Sequence, residues 1–271
     1  MLAEDVGQGD VTSAAVIPAS IIVESLVIAK ETGIAAGIEE TGILAESLGL
    51  SVESEVTDGD IIRNGETILK ISGNARVILS AERTILNLLS RMSGIATATR
   101  TLTEKLRKAN LMVKIAATRK TAPGLLYFDK KAVLVGGGDP HRLRLDDMIL
   151  VKDNHVAIVG SVEKAVKKAK ASSFSTKIEV EVSTTKDAVK AAEAGADIVM
   201  LDNFSPRQVK ESVAALKTAG FFGKVLLEVS GGISEQNLLK YASAQVDVIS
   251  MGSLTHSVKA LDINLEIVNP N

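Results

Sequence analysis

The spacing of hydrophobic residues divides the chain into two parts. In the first part, the apolar positions of residues 51–79 come in short runs separated by Asp58-Gly59 and Asn64-Gly65. Glycine, and to a lesser degree asparagine or aspartate, tolerates the positive φ that a tight turn needs. With a strand predicted over 21–29 and a helix over 39–48, this pattern indicates a small antiparallel α+β unit.

A long helix is predicted over residues 81–108. Ser80 stands at the expected N-cap, where its hydroxyl can accept a backbone N–H, and Glu82 lies at the favourable end of the helix dipole. Arg83 falls in the same first turn, where a cation is unfavourable unless an anion compensates it. Ser93-Gly94 predicts a break in this helix.

In the second part, continuous apolar runs alternate with amphipathic segments, which is typical of a parallel sheet whose strands are connected by helices. Six strands are predicted, over residues 111–116, 148–152, 177–182, 197–201, 224–229 and 246–251. The helices predicted between them cover residues 161–170, 186–194, 206–218 and 235–241. A seventh strand at 132–135 is an alternative.

Polar residues directly follow most of these strands. The active sites of parallel α/β folds lie at the carboxyl ends of the strands. The sequence therefore favours an incomplete, six- or seven-stranded TIM-like α/β barrel over an open sheet, and an α/β and α+β protein as a whole.

Composition excludes several classes of protein. The chain has 271 residues, 46% hydrophobic and 24% charged, which predicts two folded domains or one large barrel. A formal net charge of −2 gives no general attraction for nucleic acid or membrane, so neither is expected as a partner. The absence of cysteine excludes disulfides, thiolate zinc sites and cysteine nucleophiles. Glu4 and Asp5 stand where a signal peptide has cations, so we expect a cytoplasmic protein.

Cations cluster near the end of the first strand of the second part. Arg119 and Lys120 suit an anion clamp, because arginine binds a carboxylate or phosphate through two N–H groups and lysine acts as a point charge. A glycine triplet at 136–138 precedes His141 and Arg142, which extend the basic set. The alternatives are solvated loop cations and a flexible loop.

Three further polar groups end the next strands. The run 152–155 (Lys-Asp-Asn-His) ends a strand expected to be buried. Glu179 and Glu181 are two residues apart in a strand, so both side chains point the same way, into the barrel, where they need cations such as Lys152. A solvated edge strand is the alternative. Asp202 suits a ribose hydroxyl or Mg²⁺, or is a helix N-cap.

Two glycine turns follow the last two strands, at 230–232 (Ser-Gly-Gly) and 251–253 (Met-Gly-Ser). Loops at these places in barrels bind phosphate through backbone N–H groups. The three histidines have no helical i, i+4 spacing, which disfavours a zinc site. The motifs together predict one pocket for a phosphosugar and an acidic co-substrate.

Taken as a set, these motifs resemble the decarboxylating quinolinate phosphoribosyltransferases. The resemblance spans residues 2 to about 267, and it rests on 4–12, 81–84, 93–97, 118–124, 136–142, 152–155, 179–182, 201–203 and 230–232. Members of this family transfer the phosphoribosyl group of phosphoribosyl pyrophosphate to quinolinate. They release pyrophosphate and CO₂ and give nicotinate mononucleotide in NAD biosynthesis.

The resemblance also implies the organisation of the protein. It implies an N-terminal α/β sandwich over 1–105, joined by the segment 260–271, and a barrel over 106–259. It implies Mg²⁺ as cofactor. It further implies a homodimer or hexamer in which the active sites are shared between subunits.

Roles for individual residues follow from the resemblance. The quinolinate carboxylates would meet Arg119, His141, Arg142 and, from the partner subunit, Arg83. The catalytic residues would be Lys120, Lys152, Glu181 and Asp202. Asp202 would also hold Mg²⁺, directly or through water. The remaining substrate contacts would be Thr118, His155, Ser230, Gly231, Gly232, Met251, Gly252 and Ser253.

Three positions depart from the usual family pattern: Ala117 replaces an acid, Pro140 an asparagine and Ser183 an aspartate. A proline before the His-Arg pair also occurs in a paralogous phosphosugar-binding family of the same fold that is linked to molybdenum transport. That family is the alternative hypothesis. It lacks the full Lys-Asp-Asn-His run of 152–155, so the quinolinate interpretation is favoured.

Overall fold

A computed structural model describes residues 1–270 and divides them into two compact units. The first contains Met1–Arg100, Tyr127–Gly137 and the chain from Ser257 onward. The second contains Thr101–Leu126 and Gly138–His256. Residues 127–137, which the sequence analysis placed in the barrel domain, thus belong to the first unit.

The secondary structure alternates as the hydrophobic pattern predicts. The strands are β1 (Ile22–Ala29), β2 (Gly33–Ile34), β3 (Ser51–Glu53), β4 (Ile61–Ile62), β5 (Thr67–Asn74), β6 (Lys114–Ala116), β7 (Ile149–Val151), β8 (Ile178–Val182), β9 (Ile198–Asp202), β10 (Leu226–Ser230), β11 (Val248–Ser250) and β12 (Ile263–Pro270). The helices are α1 (Leu2–Val6), α2 (Val11–Val16), α3 (Ile38–Ser47), α4 (Ala75–Lys108), α5 (Leu126–Val135), α6 (Asp153–Val159), α7 (Val162–Ser172), α8 (Thr185–Ala194), α9 (Pro206–Thr218), α10 (Leu238–Ala242) and α11 (Ser253–His256).

The first unit is built on a four-stranded antiparallel sheet with the strand order β12-β1-β5-β3. Every second residue of β1 is buried, beginning at Val23, because successive side chains of a strand point to opposite faces. Strand β12 comes from the end of the chain and pairs with β1, so the C-terminal segment completes the N-terminal sheet. The predicted antiparallel α+β unit is confirmed.

Helix α4 begins earlier than the sequence analysis predicted. Its first turn follows Asn74, whose side chain accepts a hydrogen bond from the backbone N–H of Arg76 at 3.0 Å. Ser80 is not the N-cap but lies inside the helix and donates to the carbonyl of Arg76 at 2.8 Å. Arg83 is therefore beyond the first turn, and the dipole argument for its charge does not apply.

The predicted break at Ser93-Gly94 is wrong, because α4 runs through both residues. A Cβ atom at Gly94 would lie 2.1 Å from the carbonyl oxygen of Lys259, within the same unit. The glycine allows the backbone of residue 259 to approach the helix, and it leaves the helix unbroken.

The second unit contains six parallel strands in the order β6-β11-β10-β9-β8-β7. The predicted strand at 132–135 is instead part of α5. A short apolar run does not distinguish a strand from a buried helical segment, and Ala132 and Val133 are fully buried in this helix. No described helix is long and apolar enough to cross a bilayer.

The register of the parallel strands determines which residues lie opposite one another in neighbouring strands. Ser230 lies opposite Asp202 on one side and Ser250 on the other, and Glu228 lies opposite Met200, which in turn lies opposite Glu181. The carboxyl ends of the strands therefore bring polar side chains from separate parts of the sequence to one place.

Because a backbone oxygen lies so close to Gly94, we expect replacement by alanine to change stability in opposite directions at Gly94 and at Gly42, a second helical glycine. Gly94→Ala should lower the free energy of unfolding by about 1–3 kcal/mol, because the added methyl group collides with a backbone oxygen. Gly42→Ala in α3, where nothing lies within 4 Å of the added atom, should raise it by about 0.5–1 kcal/mol. Chemical denaturation of both variants checks this. Equal effects at the two positions would contradict the steric explanation.

Candidate active site

A cavity of about 440 Å³ opens at the carboxyl ends of the parallel strands, within the second unit. It collects eleven of the residues predicted from the sequence: Thr118, Arg119, Lys120, His141, Arg142, Lys152, Glu181, Asp202, Ser230, Gly231 and Gly232. These residues come from five strand ends and from the segment before β7. The predicted pocket is therefore one place in the fold.

Five predicted residues do not line this cavity: Arg83, His155, Met251, Gly252 and Ser253. Arg83 is an exposed residue of the first unit. Gly252 lies beside the cavity, since a Cβ atom there would be 3.2 Å from Cδ of Lys120. The glycine triplet at 136–138 is also absent from the lining. A Cβ atom at Gly136 would lie 2.6 Å from the carbonyl oxygen of Ala96, so close packing against α4 accounts for this glycine.

The loop after β6 is fixed by two threonines. The hydroxyl of Thr118 accepts a hydrogen bond from the backbone N–H of Lys120 at 3.2 Å. The hydroxyl of Thr255 donates to the carbonyl of Lys120 at 2.8 Å. Because both contacts are to the backbone of Lys120, its side chain stays available to the cavity.

Two buried carboxylates, those of Glu228 and Glu179, face the imidazole ring of His141. Its Nε2 atom lies 3.2 Å from Oε2 of Glu228, in a hydrogen bond, and 3.3 Å from Oε2 of Glu179. Its backbone has a φ of 54°, an uncommon value for a residue other than glycine, and its N–H donates to Oδ1 of Asp139 at 2.7 Å. The ring is therefore constrained at both its backbone and one of its nitrogens.

These contacts determine the protonation state of His141. Burial alone would lower the pKa of His141, but hydrogen bonding and attraction from Glu179 and Glu228 raise it to about 10. Burial raises the pKa of Glu179, and the positive charges of His141 and Arg142 oppose that rise. A histidine with a raised pKa is protonated below that value, so His141 is an imidazolium at neutral pH.

Arg142 adds further positive charge to the same cavity. Burial and repulsion from Arg119 lower its pKa, while Glu179 and Asp147 partly offset both effects. A guanidinium nevertheless stays charged at neutral pH. Two guanidinium groups that repel each other across one cavity create a site for an anion with more than one negative charge.

Lys152, which directly follows β7, forms the ion pair with Glu181 of β8 that the alternation of β8 predicts. Nζ of Lys152 lies 3.5 Å from Oε2 of Glu181. Lys152 also precedes α6, where its backbone N–H donates to Nδ1 of His155 at 2.9 Å. His155 therefore serves the start of the helix, and the cation that pairs with Glu179 is His141 rather than a lysine.

Strand β9 ends at Asp202, and Asn203 follows it beside the glycine turn after β10. Asp202 is not an N-cap, since Ser205 caps α9 through the N–H of Gln208. Asn203 has a φ of 57°, donates its backbone N–H to Ser230 at 2.9 Å and donates its side-chain N–H to Oδ2 of Asp202 at 2.6 Å. One carboxylate oxygen of Asp202 is thus oriented by its neighbour.

The turn after β10 is shaped for an anion. Gly231 and Gly232 have φ values of 94° and 62°, and a Cβ atom at Gly231 would lie 2.2 Å from Oδ1 of Asn203. Within residues 1–270, neither glycine donates its N–H to a protein acceptor. Free N–H groups in a glycine turn are the donors that phosphate-binding loops use.

Sequence reasoning missed Glu228 and Ser250, which also line the cavity. Both lie inside predicted strands that were assigned to the core. An acidic residue within the apolar strand 224–229 was the same kind of signal that identified Glu179 and Glu181. The hydroxyl of Ser250 is buried and has no hydrogen-bond partner among the described residues.

Models of two protein domains cover nearly the whole chain. The N-terminal domain of quinolinate phosphoribosyl transferase matches residues 10–93, and the C-terminal domain of the same enzyme matches residues 95–266. The chain belongs to the quinolinate phosphoribosyltransferase family. The alternative family linked to molybdenum transport has no support among these matches.

Individual relatives of this family are similar over almost their full length. A probable nicotinate-nucleotide pyrophosphorylase [carboxylating] from Methanothermobacter thermautotrophicus is 47% identical over 268 residues, which is 98% of this chain and 96% of the relative. The human nicotinate-nucleotide pyrophosphorylase [carboxylating] is 41% identical, with 88% and 80% covered. The crystal structure of NadC from Streptococcus pyogenes superimposes with a TM-score of 0.89 at 36% identity, with 99% and 94% covered.

The geometry of the glycine turn at 230–232 predicts that alanine weakens anion binding more at Gly231 than at Gly232. Gly231→Ala should weaken the binding of inorganic pyrophosphate by roughly tenfold, because the new methyl group displaces Asn203 and the loop that holds the free N–H groups. Gly232→Ala should have a smaller effect, since nothing lies within 4 Å of the added atom.

Calorimetric titration of pyrophosphate into each variant is the measurement. Gly223→Ala is the matched control, because that glycine has a φ of 77° and open space but lies outside the cavity. If Gly223→Ala and Gly231→Ala weaken binding equally, general backbone strain rather than the cradle is responsible.

Proposed function

We propose that this chain transfers the phosphoribosyl group of phosphoribosyl pyrophosphate to quinolinate, giving nicotinate mononucleotide, pyrophosphate and CO₂. It is a glycosyltransferase of the pentosyltransferase type that serves NAD biosynthesis. The names of its relatives describe the same reaction in the carboxylating direction. The observation that carries the proposal is the group of five cations around one cavity: Arg119, Lys120, His141, Arg142 and Lys152.

The acidic substrate fits the part of the cavity near Arg119, His141 and Arg142. Quinolinate carries two carboxylates, and three cations line this region of the cavity, namely Arg119, His141 and Arg142. A bound dicarboxylate would remove the repulsion between the two guanidinium groups. Planar guanidinium groups also bind carboxylates through two parallel hydrogen bonds.

The phosphoribosyl group fits the other part of the cavity. Phosphate oxygens would accept from the free N–H groups of Gly231 and Gly232 and from the hydroxyl of Ser230. Lys120 and Lys152 supply positive charge toward the leaving pyrophosphate. Glu181 orients Lys152 through their ion pair and can accept from a ribose hydroxyl.

Mg²⁺ suits this arrangement, and Asp202 would hold it directly or through water. A carboxylate at a cavity with phosphate-binding groups provides the hard oxygen ligands that Mg²⁺ prefers, usually one or two carboxylates with substrate phosphates. When bound, the cation would neutralise charge that develops on the pyrophosphate. The amide of Asn203 orients the Asp202 carboxylate for that role.

The protein residues act by orientation and charge placement. The bond from C1′ to pyrophosphate breaks with positive charge developing on the ribose, and the carboxylate of Glu181 lies in the same cavity to stabilise that charge. Arg119, His141 and Arg142 hold the pyridine ring so that its nitrogen can attack C1′. The ring nitrogen is then positively charged, which stabilises the electron pair left at C2 when CO₂ departs, and a proton from water adds at C2 to give nicotinate mononucleotide.

A direct assay tests the proposed function. Purified protein mixed with quinolinate, phosphoribosyl pyrophosphate and Mg²⁺ should form nicotinate mononucleotide and CO₂ in equal amounts, and omission of Mg²⁺ should abolish both. Nicotinate, which lacks the second carboxylate, should be a poor substrate. Lys152→Met should lower kcat/KM by roughly 10–150-fold, while Lys168→Met on the exposed face of α7 should not change it. No product from the wild-type protein would exclude the proposal.

A shared active site is the finer part of the proposal, and it is supported by the family resemblance at Arg83. Arg83 is exposed and lies in the first unit, so it is available to a second subunit. Its guanidinium would add a further contact to a quinolinate carboxylate. Dimer or hexamer formation and the cytoplasmic location remain predictions.

Subunit complementation tests the sharing of the site. Arg83→Ala and Arg119→Ala proteins, each nearly inactive, should regain up to about a quarter of wild-type activity after subunit exchange, since half of the dimers are mixed and each mixed dimer has one intact pocket. The control mixture is Arg119→Ala with Lys152→Met. It should stay inactive, because both residues line the pocket of their own subunit. No recovery in proven mixed dimers would place Arg83 outside the partner's site.

A further inference from the structure

Three side chains lie between two cavities of the second unit. His141, Arg142 and Glu228 line the catalytic cavity, and they also line a second cavity of about 540 Å³. The second cavity is lined by the first residues of β9, β10 and β11, so it opens at the amino ends of the strands. These three side chains therefore form the floor of the catalytic cavity.

Two carboxylates contact the ring of His141, and the proposed chemistry uses neither: Glu228 belongs to the floor, whereas Glu179 lines neither cavity. Glu179 is 0% exposed and Glu228 is 1% exposed. Neither oxygen of Glu179 and only one oxygen of Glu228 has a hydrogen-bond partner among the described residues, and that partner is His141. Burying carboxylates with so few hydrogen bonds costs folding free energy, so their retention calls for a role beyond stability.

The imidazole of His141 has only one nitrogen left for a ligand. Nε2 faces Glu228 and Glu179, and Nδ1 has no partner among residues 1–270. Because both nitrogens of an imidazolium are donors, Nδ1 is available to donate to an acidic group in the cavity. An unsupported imidazole would adopt the neutral form more readily beside Arg142, and its free nitrogen would then have no fixed donor role.

We propose that Glu228 and Glu179 are positioning residues that hold His141 by its Nε2 edge, so that the opposite edge of the ring becomes an anchor for an acidic group of the substrate. The proposal rests on the proposed function, in which that group is a carboxylate of quinolinate. Both carboxylates contact the same ring nitrogen, Glu228 at 3.2 Å and Glu179 at 3.3 Å, so both take part. In this role both carboxylates act on the substrate through the ring of His141.

The charges around the ring act consistently with this role. Glu179 from β8 and Glu228 from β10 face Nε2, and Asp139 accepts the backbone N–H of His141. Arg142 follows in sequence and itself faces Arg119 and Asp147. The pKa of His141 is raised to about 10 in this setting, so the ring carries its charge throughout the neutral range.

Glu228→Gln tests the proposal, because glutamine keeps the shape of the side chain and removes its charge. The KM for quinolinate should rise by roughly tenfold or more, and the KM for phosphoribosyl pyrophosphate should change by less than about twofold. Glu179→Gln should raise the same KM, since its carboxylate contacts the same ring nitrogen. Glu211→Gln, an equal change of charge on the exposed side of α9, is the matched control and should leave both constants unchanged.

A second measurement does not depend on turnover. The chain has three histidines, so the ¹⁵N signals of His141 can be assigned by their loss in His141→Gln. The wild-type ring should titrate near pH 10, and in Glu228→Gln it should titrate at lower pH. In the double variant Glu179→Gln/Glu228→Gln, the ring should be neutral at pH 8, since no carboxylate then faces Nε2.

The possible results separate the explanations. Unchanged titration and unchanged KM values in Glu228→Gln overturn the proposal. A rise in both KM values with a lower Tm also overturns it, because that result indicates a role in packing alone. Loss of a tightly bound divalent metal in Glu228→Gln overturns it as well, since the carboxylates would then hold a metal. If wild-type protein is inactive on quinolinate but His141 titrates as expected, the proposed function fails and the arrangement of the carboxylates stands.

Discussion

Positive charges that repel one another have to be held around one cavity before any substrate arrives. Arg119 and Arg142 face each other closely enough for one to lower the pKa of the other. In a partly buried site such repulsion is weakly screened by solvent. The fold therefore supplies counter-charges from the neighbouring strands, and their placement below and beside the cavity decides which cations stay available to a ligand.

The parallel sheet makes this arrangement possible. Each strand delivers its residues to the same edge, so acids at Glu181, Asp202 and Glu228 stand within one cavity although they are far apart in sequence. Side chains two residues apart in a strand lie at successive depths. Glu181 therefore meets Lys152 at the open level, whereas Glu179 meets His141 at the buried level. One strand thus serves both levels of the site.

Much of the fold follows from local pattern, because continuous apolar strands and amphipathic helices have distinct periods. The six parallel strands and helix α9 were predicted in this way. The errors occurred where a distant part of the chain decides the local structure. Gly94 looks like a helix break, yet it is required by the approach of Lys259, and the run 132–135 looks like a strand, yet it packs as a helix. Neither contact is visible in a window of neighbouring residues.

The same distinction, between features visible in the local sequence and features decided by a distant part of the chain, applies to the site residues. Arg119, Lys120 and Lys152 stand at strand ends, where a charge after an apolar run signals function. Glu228 lies inside a strand, where one acid among apolar residues gives no indication of its partner, because that partner, His141, comes from a loop before β7. Sequence motifs identify the residues that would contact a substrate. The residues that position those side chains are recognised only in the three-dimensional structure. The buried carboxylates belong to this second kind, and their cost in folding free energy is the reason to look for their role in binding.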